Sequence, residues 1–182
     1  MKLEKDIIAP IFKLKDIYDR IIDLEEYRNR KVFIGFFRHA GCPFCNLRVH
    51  ALTKVYEELK AKGLEMIFFF ESKGSVLLRS TFHQEVSPIP LISDPEKKWY
   101  GAYGLESSGY KSAISHITSF VQTAFKASTT GVPMHIMTDG ESIKTMPAEF
   151  LLDTGLVVKE VHYSERLNDR LSIEKIRAFA EG

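Results

Sequence analysis

Residues 31–45 read Lys31-Val32-Phe33-Ile34-Gly35-Phe36-Phe37, then Arg38-His39-Ala40-Gly41, then Cys42-Pro43-Phe44-Cys45. The first seven are apolar after Lys31 and rich in β-branched and aromatic side chains, which predicts a strand buried on both faces. Arg38 to Gly41 break the pattern. From Pro43 to Lys62 the apolar residues Leu47, Leu52, Val55, Tyr56 and Leu59 recur at helical spacing, and Gly63 suits the position that ends a helix. Leu64 to Phe70, LEMIFFF, predicts a second buried strand. A strand, a helix and a strand in this order predict two parallel strands joined by a right-handed crossover.

Cys42 and Cys45 are the only cysteines of the 182 residues. They fall where the first strand gives way to the helix. The first helical N–H groups and the helix dipole favour an anion there, and a cysteine so placed is more acidic than a free one. A spacing of three puts Cys45 on the same helix face one turn in, so a disulfide can close within that turn. Cys42 is then the attacking sulfur and Cys45 the resolving one. Pro43 suits the first helical position because its missing N–H is not needed there. Two plainer readings are a pair of inert buried thiols and half of a zinc site. For zinc the chain offers no second cysteine pair, and His39 and His50 give no standard ligand spacing.

The rest of the chain is that of an ordinary globular protein, with 45% hydrophobic and 27% charged residues. Lys plus Arg number 25 and Asp plus Glu 24, a net charge of +1, which argues against nucleic acid as the main partner. No stretch approaches the roughly 20 apolar residues that span a bilayer, and Met1 to Asp6 lack the apolar run of a signal peptide. The expected location is the cytoplasm. Val76 to Gln84 reads as helical, Pro88 to Ile92 as a short strand, and Asp94-Pro95-Glu96 as the start of a helix reaching about Tyr103. Phe150 to Leu152 and Leu156 to Tyr163 flank Asp153-Thr154-Gly155 and read as a hairpin. A last helix is expected from Ser172, its N-cap, to Ala180. Leu14, Ile17, Tyr18 and Ile21 fit either a helix or a hairpin. The stretch at about 106–145 reads as an insertion within one domain of residues 1–182, with an amphipathic helix over Ile114 to Phe125 that caps the fold.

The order of CxxC, helix and strand, followed by Met146-Pro147 before Phe150-Leu151-Leu152-Asp153, resembles the thioredoxin superfamily. Ala9-Pro10-Ile11-Phe12-Lys13-Leu14 is similar to the "APxFxL" opening of its peroxiredoxin-like branch, the alkyl hydroperoxide reductase/thiol-specific antioxidant (AhpC/TSA) family. Asp23 to Arg28 resembles the lead into that family's first core strand. Ile92-Ser93-Asp94-Pro95-Glu96 with Tyr103-Gly104 resembles its "SDPE…YG" stretch, and Phe150 to Gly155 its "FLIDxxG" hairpin. The resemblance implies a thioredoxin-like α/β fold, a central mixed sheet flanked by helices, and favours a hairpin over residues 11–22. It implies an antioxidant thiol oxidoreductase without cofactor or metal.

That family's peroxide site carries Pro seven residues, and Thr or Ser three residues, before its attacking Cys. It also carries Arg three residues before the Phe of the late hairpin. Here those positions are Gly35, His39 and Pro147. The replacements imply disulfide exchange ahead of peroxide reduction, and Pro147 instead resembles the proline that packs beside the CxxC of thioredoxins and accepts an extended partner chain. The candidate catalytic residues are Cys42, Cys45, His39 and Pro147. His39 is either a proton shuttle that activates Cys42 or a plain loop residue. Arg38 or Arg48 could supply a cation, although Arg38 reads first as a solvated loop charge. The expected function is a thiol–disulfide oxidoreductase cycling Cys42 and Cys45. The alternatives are a hydroperoxide reductase with Cys42 peroxidatic and Cys45 resolving, and a non-catalytic binding module on the same scaffold. Expected partners are a disulfide or hydroperoxide substrate and a cellular thiol reductant, with no nucleic acid, no membrane, and a homodimer as the assembly considered.

Overall fold

A computed structural model describes residues 1–86, 88–105, 142 and 144–182. The buried run Lys31–Phe37 forms strand β3, and Leu64–Phe70 forms β4 parallel to it, joined by helix α1 over Pro43–Ala61. The strand–helix–strand unit is therefore the one expected. A short hairpin of β1 (Lys13–Lys15) and β2 (Ile21–Asp23) precedes it, so the hairpin reading of the N-terminal segment holds. β5 (Leu91–Ser93) adds parallel to β4. β6 (Ala148–Asp153) pairs antiparallel with β3, and β7 (Val157–Tyr163) antiparallel with β6. The result is a mixed five-stranded sheet in the order β5-β4-β3-β6-β7.

Alternation along β3 divides the core into two layers. Phe33 and Phe37 point to the face covered by α1 and by the C-terminal helix α5 (Ile173–Glu181); Cys42, Cys45, Leu52 and Ile176 lie in that layer. Val32, Ile34 and Phe36 point to the other face, against Phe12, Leu24, Tyr100 and Phe150. Phe36 is a hub of the second layer. Its ring stacks on Phe69 at 4.5 Å and meets Tyr103 at 4.9 Å, Tyr100 at 5.1 Å and Phe150 at 5.9 Å. Gly35 faces the first layer, between Phe33 and Phe37, for a packing reason: a Cβ there would lie 2.8 Å from the Phe37 ring.

Three expected elements shift. The helix expected over Val76 to Gln84 is two short helices, α2 (Gly74–Arg79) and α3 (Thr81–Glu85), because Ser80 between them is extended. The helix expected from Asp94 begins later, as α4 over Lys98–Ala102, because Lys97 takes a left-handed conformation with φ 57°. Asp94 still serves that helix, since its carboxylate accepts the N–H groups of Lys98, Trp99 and Tyr100. The strand expected from Pro88 starts only at Leu91, with the Pro90 carbonyl accepting the Phe68 amide at 2.9 Å. The late hairpin turns on Gly155 at φ 75°, and Ser172 caps α5 by accepting the Lys175 amide. The expected helix over 114–125 and nearly all of the insertion at 106–145 lie outside the described residues. Among the described residues no helix is long and apolar enough to cross a membrane.

Candidate active site

The parallel strands β3 and β4 end together, and the chain leaves β3 into Arg38-His39-Ala40-Gly41 and turns straight into α1. The turn is pinned from several sides. Tyr100 donates its hydroxyl to the Phe37 carbonyl. The Ala40 amide donates to Ser72 Oγ at 2.7 Å, and Asn46 Nδ2 donates to the Ala40 carbonyl at 2.7 Å. The Cys42 amide donates to the His39 carbonyl at 3.0 Å, and the Cys42 carbonyl accepts the Asn46 amide at 3.0 Å. Cys42 is thereby the N-cap of α1, in extended conformation with φ −73° and ψ 111°, and Pro43 takes the first helical position. The sulfur stands where the N-terminal amides and the helix dipole favour negative charge.

Both cysteines are free thiols and both are buried. Their surroundings differ. Arg38 Nη1 lies 3.8 Å from Cys42 Sγ, and the Arg38 backbone N–H donates to Cys45 Sγ at 3.3 Å. Burial by itself pushes the Cys42 thiol up. A hydrogen bond from the Cys45 thiol, the Arg38 guanidinium, the Cys45 amide and the Arg170 charge together more than reverse this and bring it down to about 6. Burial also pushes the Cys45 thiol up, and the hydrogen bond to Cys42 and the charge on that sulfur push it further, well above the ordinary thiol range. Cys42 is thus thiolate at neutral pH while Cys45 keeps its proton. The two thiols differ in acidity, Cys42 being the readier to ionise.

The other expected residues come to the same end of the sheet. His39 is buried in the turn, where its carbonyl orders the Cys42 amide. Pro147 immediately precedes β6, in which Ala148 is the partner of Phe36. Continuing that register sets Pro147 abreast of Phe37 and Met146 abreast of Arg38, beside the start of α1. Arg38 corrects the sequence reading: it is not a solvated loop charge but a fully buried one. Arg48 is not a cation offered to the sulfur, because it makes a two-pronged ion pair with the buried Glu149 at 2.7 and 2.8 Å and donates to the Leu171 carbonyl at 2.8 Å.

Sequence reasoning missed Glu149, Arg170 and Glu71. Glu149 lies in β6 between Ala148 and Phe150 and also accepts the Leu171 amide at 3.0 Å, with Arg170 Nε at 3.6 Å. A lone carboxylate inside an apolar strand was the available signal, since a buried charge requires a partner. Arg170 carried no signal, because it comes from the irregular segment before α5. Glu71, directly after β4, is bound by Lys97 Nζ at 2.8 Å, Thr145 Oγ1 at 2.7 Å and the Ser142 amide at 3.1 Å, which ties down the segment leading to Pro147. Among the described residues no cluster of three His, Cys, Asp or Glu side chains could hold a metal ion.

Known proteins resemble this chain in sequence and fold. The thiol–disulfide oxidoreductase ResA of Bacillus thuringiensis is 25% identical over 97 residues, 53% of this chain and 56% of that protein. A candidate peroxiredoxin of Mycobacterium tuberculosis is 28% identical over 99 residues, 53% of this chain and 62% of that protein. The chain thus spans little more than half the length of the curated relatives it matches. A crystal structure of a candidate thiol:disulfide interchange protein DsbE from Chlorobium tepidum superposes with a TM-score of 0.66 at 18% identity, covering 100% of both chains, which makes the fold thioredoxin-like. These relatives are described as a thiol–disulfide oxidoreductase and a candidate peroxiredoxin. The AhpC/TSA family matches residues 7–161, from the opening segment through the thiol turn to the late hairpin, and the chain belongs to that family.

Proposed function

We propose that the protein is a thiol–disulfide oxidoreductase in which Cys42 attacks and Cys45 resolves. The observation that carries this is the unequal pair at the start of α1, with Cys42 brought down to about 6 and Cys45 pushed up. The Cys42 thiolate attacks one sulfur of a substrate disulfide, and the other substrate sulfur leaves as a thiolate. Cys45 then gives up its proton and attacks Cys42 Sγ. The mixed disulfide breaks, the second substrate sulfur leaves, and two electrons have passed to the substrate. Exchange of this kind runs in either direction. Pro147, abreast of Phe37, is the proposed edge against which an extended partner chain lies, and His39 the proposed proton carrier. The location proposed is the cytoplasm, and no cofactor is needed for these steps.

A second reading has one observation in its favour. The Arg38 guanidinium beside Cys42 Sγ is a donor that could polarise a hydroperoxide, with Cys42 passing through a sulfenic acid that Cys45 condenses with. Stopped-flow mixing of the reduced protein with hydrogen peroxide and, separately, with an oxidised model disulfide decides between them. Disulfide exchange is expected to be the faster. Oxidation by micromolar peroxide at the rate of a dedicated peroxidase would promote the second reading. Cys42→Ser should abolish turnover, while Cys45→Ser should accumulate mixed disulfides. A more reactive Cys45 would reverse the roles.

A further inference from the structure

The segment that carries Met146 and Pro147 is held by a buried carboxylate rather than by the sheet. The pairing of β3 with β6 ends at Phe36 and Ala148, and Pro147 has no N–H with which to extend it. Its carbonyl is taken by the Ser164 amide at 3.0 Å, on the β7 side. The hold on the other side comes from across β3. Glu71 directly follows β4, and its side chain has no exposed surface. Its backbone N–H donates to the Arg38 carbonyl at 3.4 Å, and Ser72 Oγ accepts the Ala40 amide at 2.7 Å, so residues 71 and 72 grip the thiol turn. The Glu71 carboxylate accepts the Thr145 hydroxyl at 2.7 Å and the Ser142 amide at 3.1 Å, so the same residue also grips the lead into Met146. Lys97 Nζ completes this strap, 2.8 Å from Glu71 Oε2 and 3.0 Å from Thr145 Oγ1. Lys97 reaches that place from a left-handed backbone at φ 57°, strained for a residue with a Cβ, and strain of this kind points to a task.

We propose that Glu71 is a positioning residue for substrate: with Lys97 and Thr145 it fixes Met146 and Pro147 relative to the thiol turn, and so sets the affinity for disulfides carried on an extended chain. The proposal rests on the thiol-exchange reading, in which such a chain lies along Pro147, and adds to it what holds that edge in place. The charge matters as well as the shape. A buried carboxylate requires partners, and here one oxygen takes the Ser142 amide while the other takes the Thr145 hydroxyl and the Lys97 ammonium. Glu71→Gln keeps a single accepting oxygen, so one of the two arms of the strap is lost. The thiol turn has further fastenings of its own. Tyr100 holds the Phe37 carbonyl, Asn46 the Ala40 carbonyl, and the Cys42 amide the His39 carbonyl. Loss of the carboxylate therefore frees the substrate edge and leaves the sulfurs where they are.

Single-turnover oxidation of the reduced protein by a synthetic peptide with one disulfide in an extended segment, read by alkylation and mass, tests this. Glu71→Gln should raise the half-saturating peptide concentration about tenfold, the weight of one charge-assisted hydrogen bond, with little change in the limiting rate. Attack on hydroxyethyl disulfide, which is too small to lie along the edge, should keep its wild-type rate, and alkylation of Cys42 its wild-type pH midpoint. Thr145→Val should act in the same direction as Glu71→Gln, and Thr145→Ser should restore the wild-type value. Lys97→Gly relieves the left-handed backbone, so it should melt no lower than wild type and still raise the half-saturating concentration, a split that a merely structural residue would not give. Hydrogen exchange reads the strap without turnover: Glu71→Gln should speed exchange over residues 144–148 and leave β3 protected. Unchanged saturation in a folded Glu71→Gln overturns the proposal, as does unchanged exchange over residues 144–148. A shifted Cys42 midpoint also overturns it, since the carboxylate would then act on the sulfur. Should Glu71→Gln fail to fold, Thr145→Val and Lys97→Gly decide by the same criteria. A wild-type chain that attacks neither disulfide removes the exchange reading itself, whereas normal attack with unmoved saturation removes only the role of Glu71.

Discussion

Arg38 reaches both members of the thiol pair: its guanidinium lies 3.8 Å from Cys42 Sγ, and its backbone N–H donates to Cys45 Sγ at 3.3 Å. The two contacts differ in kind. The guanidinium is the group that approaches Cys42, whereas the peptide N–H is the group that binds Cys45. An opposite charge within about 4–6 Å lowers an acid's pKa by about 1–3 units, so the Arg38 side chain adds to the larger effect of the Cys45 hydrogen bond in favouring the Cys42 thiolate. Arg38→Met should therefore slow alkylation of Cys42 at pH 6.5 by about tenfold or more, while Arg38→Lys keeps part of the rate. Equal rates in wild type and Arg38→Met would show that the helix terminus and Cys45 suffice.

Arg48 and Glu149 support the site through stability. Removing one partner of a buried pair leaves the other charge stranded, at a cost of about 3–5 kcal/mol. Arg48→Met leaves Glu149 with the Leu171 amide and the longer contact to Arg170. The expected loss is near the lower end of that range, about 3 kcal/mol, read as a lowered urea midpoint at unchanged slope. A loss under about 1 kcal/mol, the ordinary value for an exposed pair, would mean that Arg170 moves in to replace Arg48.

Much of the fold was legible from residues 31–70. An uninterrupted apolar run, a 3.6-residue period and a second apolar run admit few arrangements, and β3, α1 and β4 formed within a residue of expectation. The boundaries that slipped were set by single backbone conformations, extended at Ser80 and left-handed at Lys97, which no periodicity announces. The cysteines were legible because their spacing implies a chemistry. Arg38 was misread because a polar residue after a strand usually faces water, and only the tertiary packing encloses it. Arg170 was invisible because its partners lie in β6 and α1, far away in the chain.

Gly35 tests how the core holds the turn. An added Cβ would stand 2.8 Å from the Phe37 ring and 3.0 Å from that of Phe33, so one of two buried rings must move. Overpacking of this kind costs about 1–3 kcal/mol. The Phe37 carbonyl is bound by Tyr100, and the next residue is Arg38. Gly35→Ala should thus lower stability by about 1–3 kcal/mol and also slow Cys42 alkylation at neutral pH. Lost stability with unaltered alkylation would mean that the strain is absorbed within β3 before it reaches the turn.

The pH dependence of Cys42 carries the last prediction, because it separates the two readings of His39. The alkylation rate follows the thiolate fraction, so it should rise with pH through a midpoint of about 6 and level off by pH 8, while Cys45 stays unreactive over this range. The same shift has a stability consequence. The folded value lies below that of a cysteine in the unfolded chain, roughly 8.5. The contribution to the reduced protein is therefore fully present above about pH 8.5 and is lost as pH falls through about 6. Cys42→Ser should flatten that part of the stability curve. A His39 imidazole that takes the thiol proton or lends its charge should show in both experiments. His39→Ala would then slow alkylation near pH 7 and raise the midpoint, although Arg38 and the helix terminus still hold it below the ordinary thiol value. Superimposable curves for wild type and His39→Ala would leave His39 the structural task visible in the turn, its carbonyl receiving the Cys42 amide at 3.0 Å.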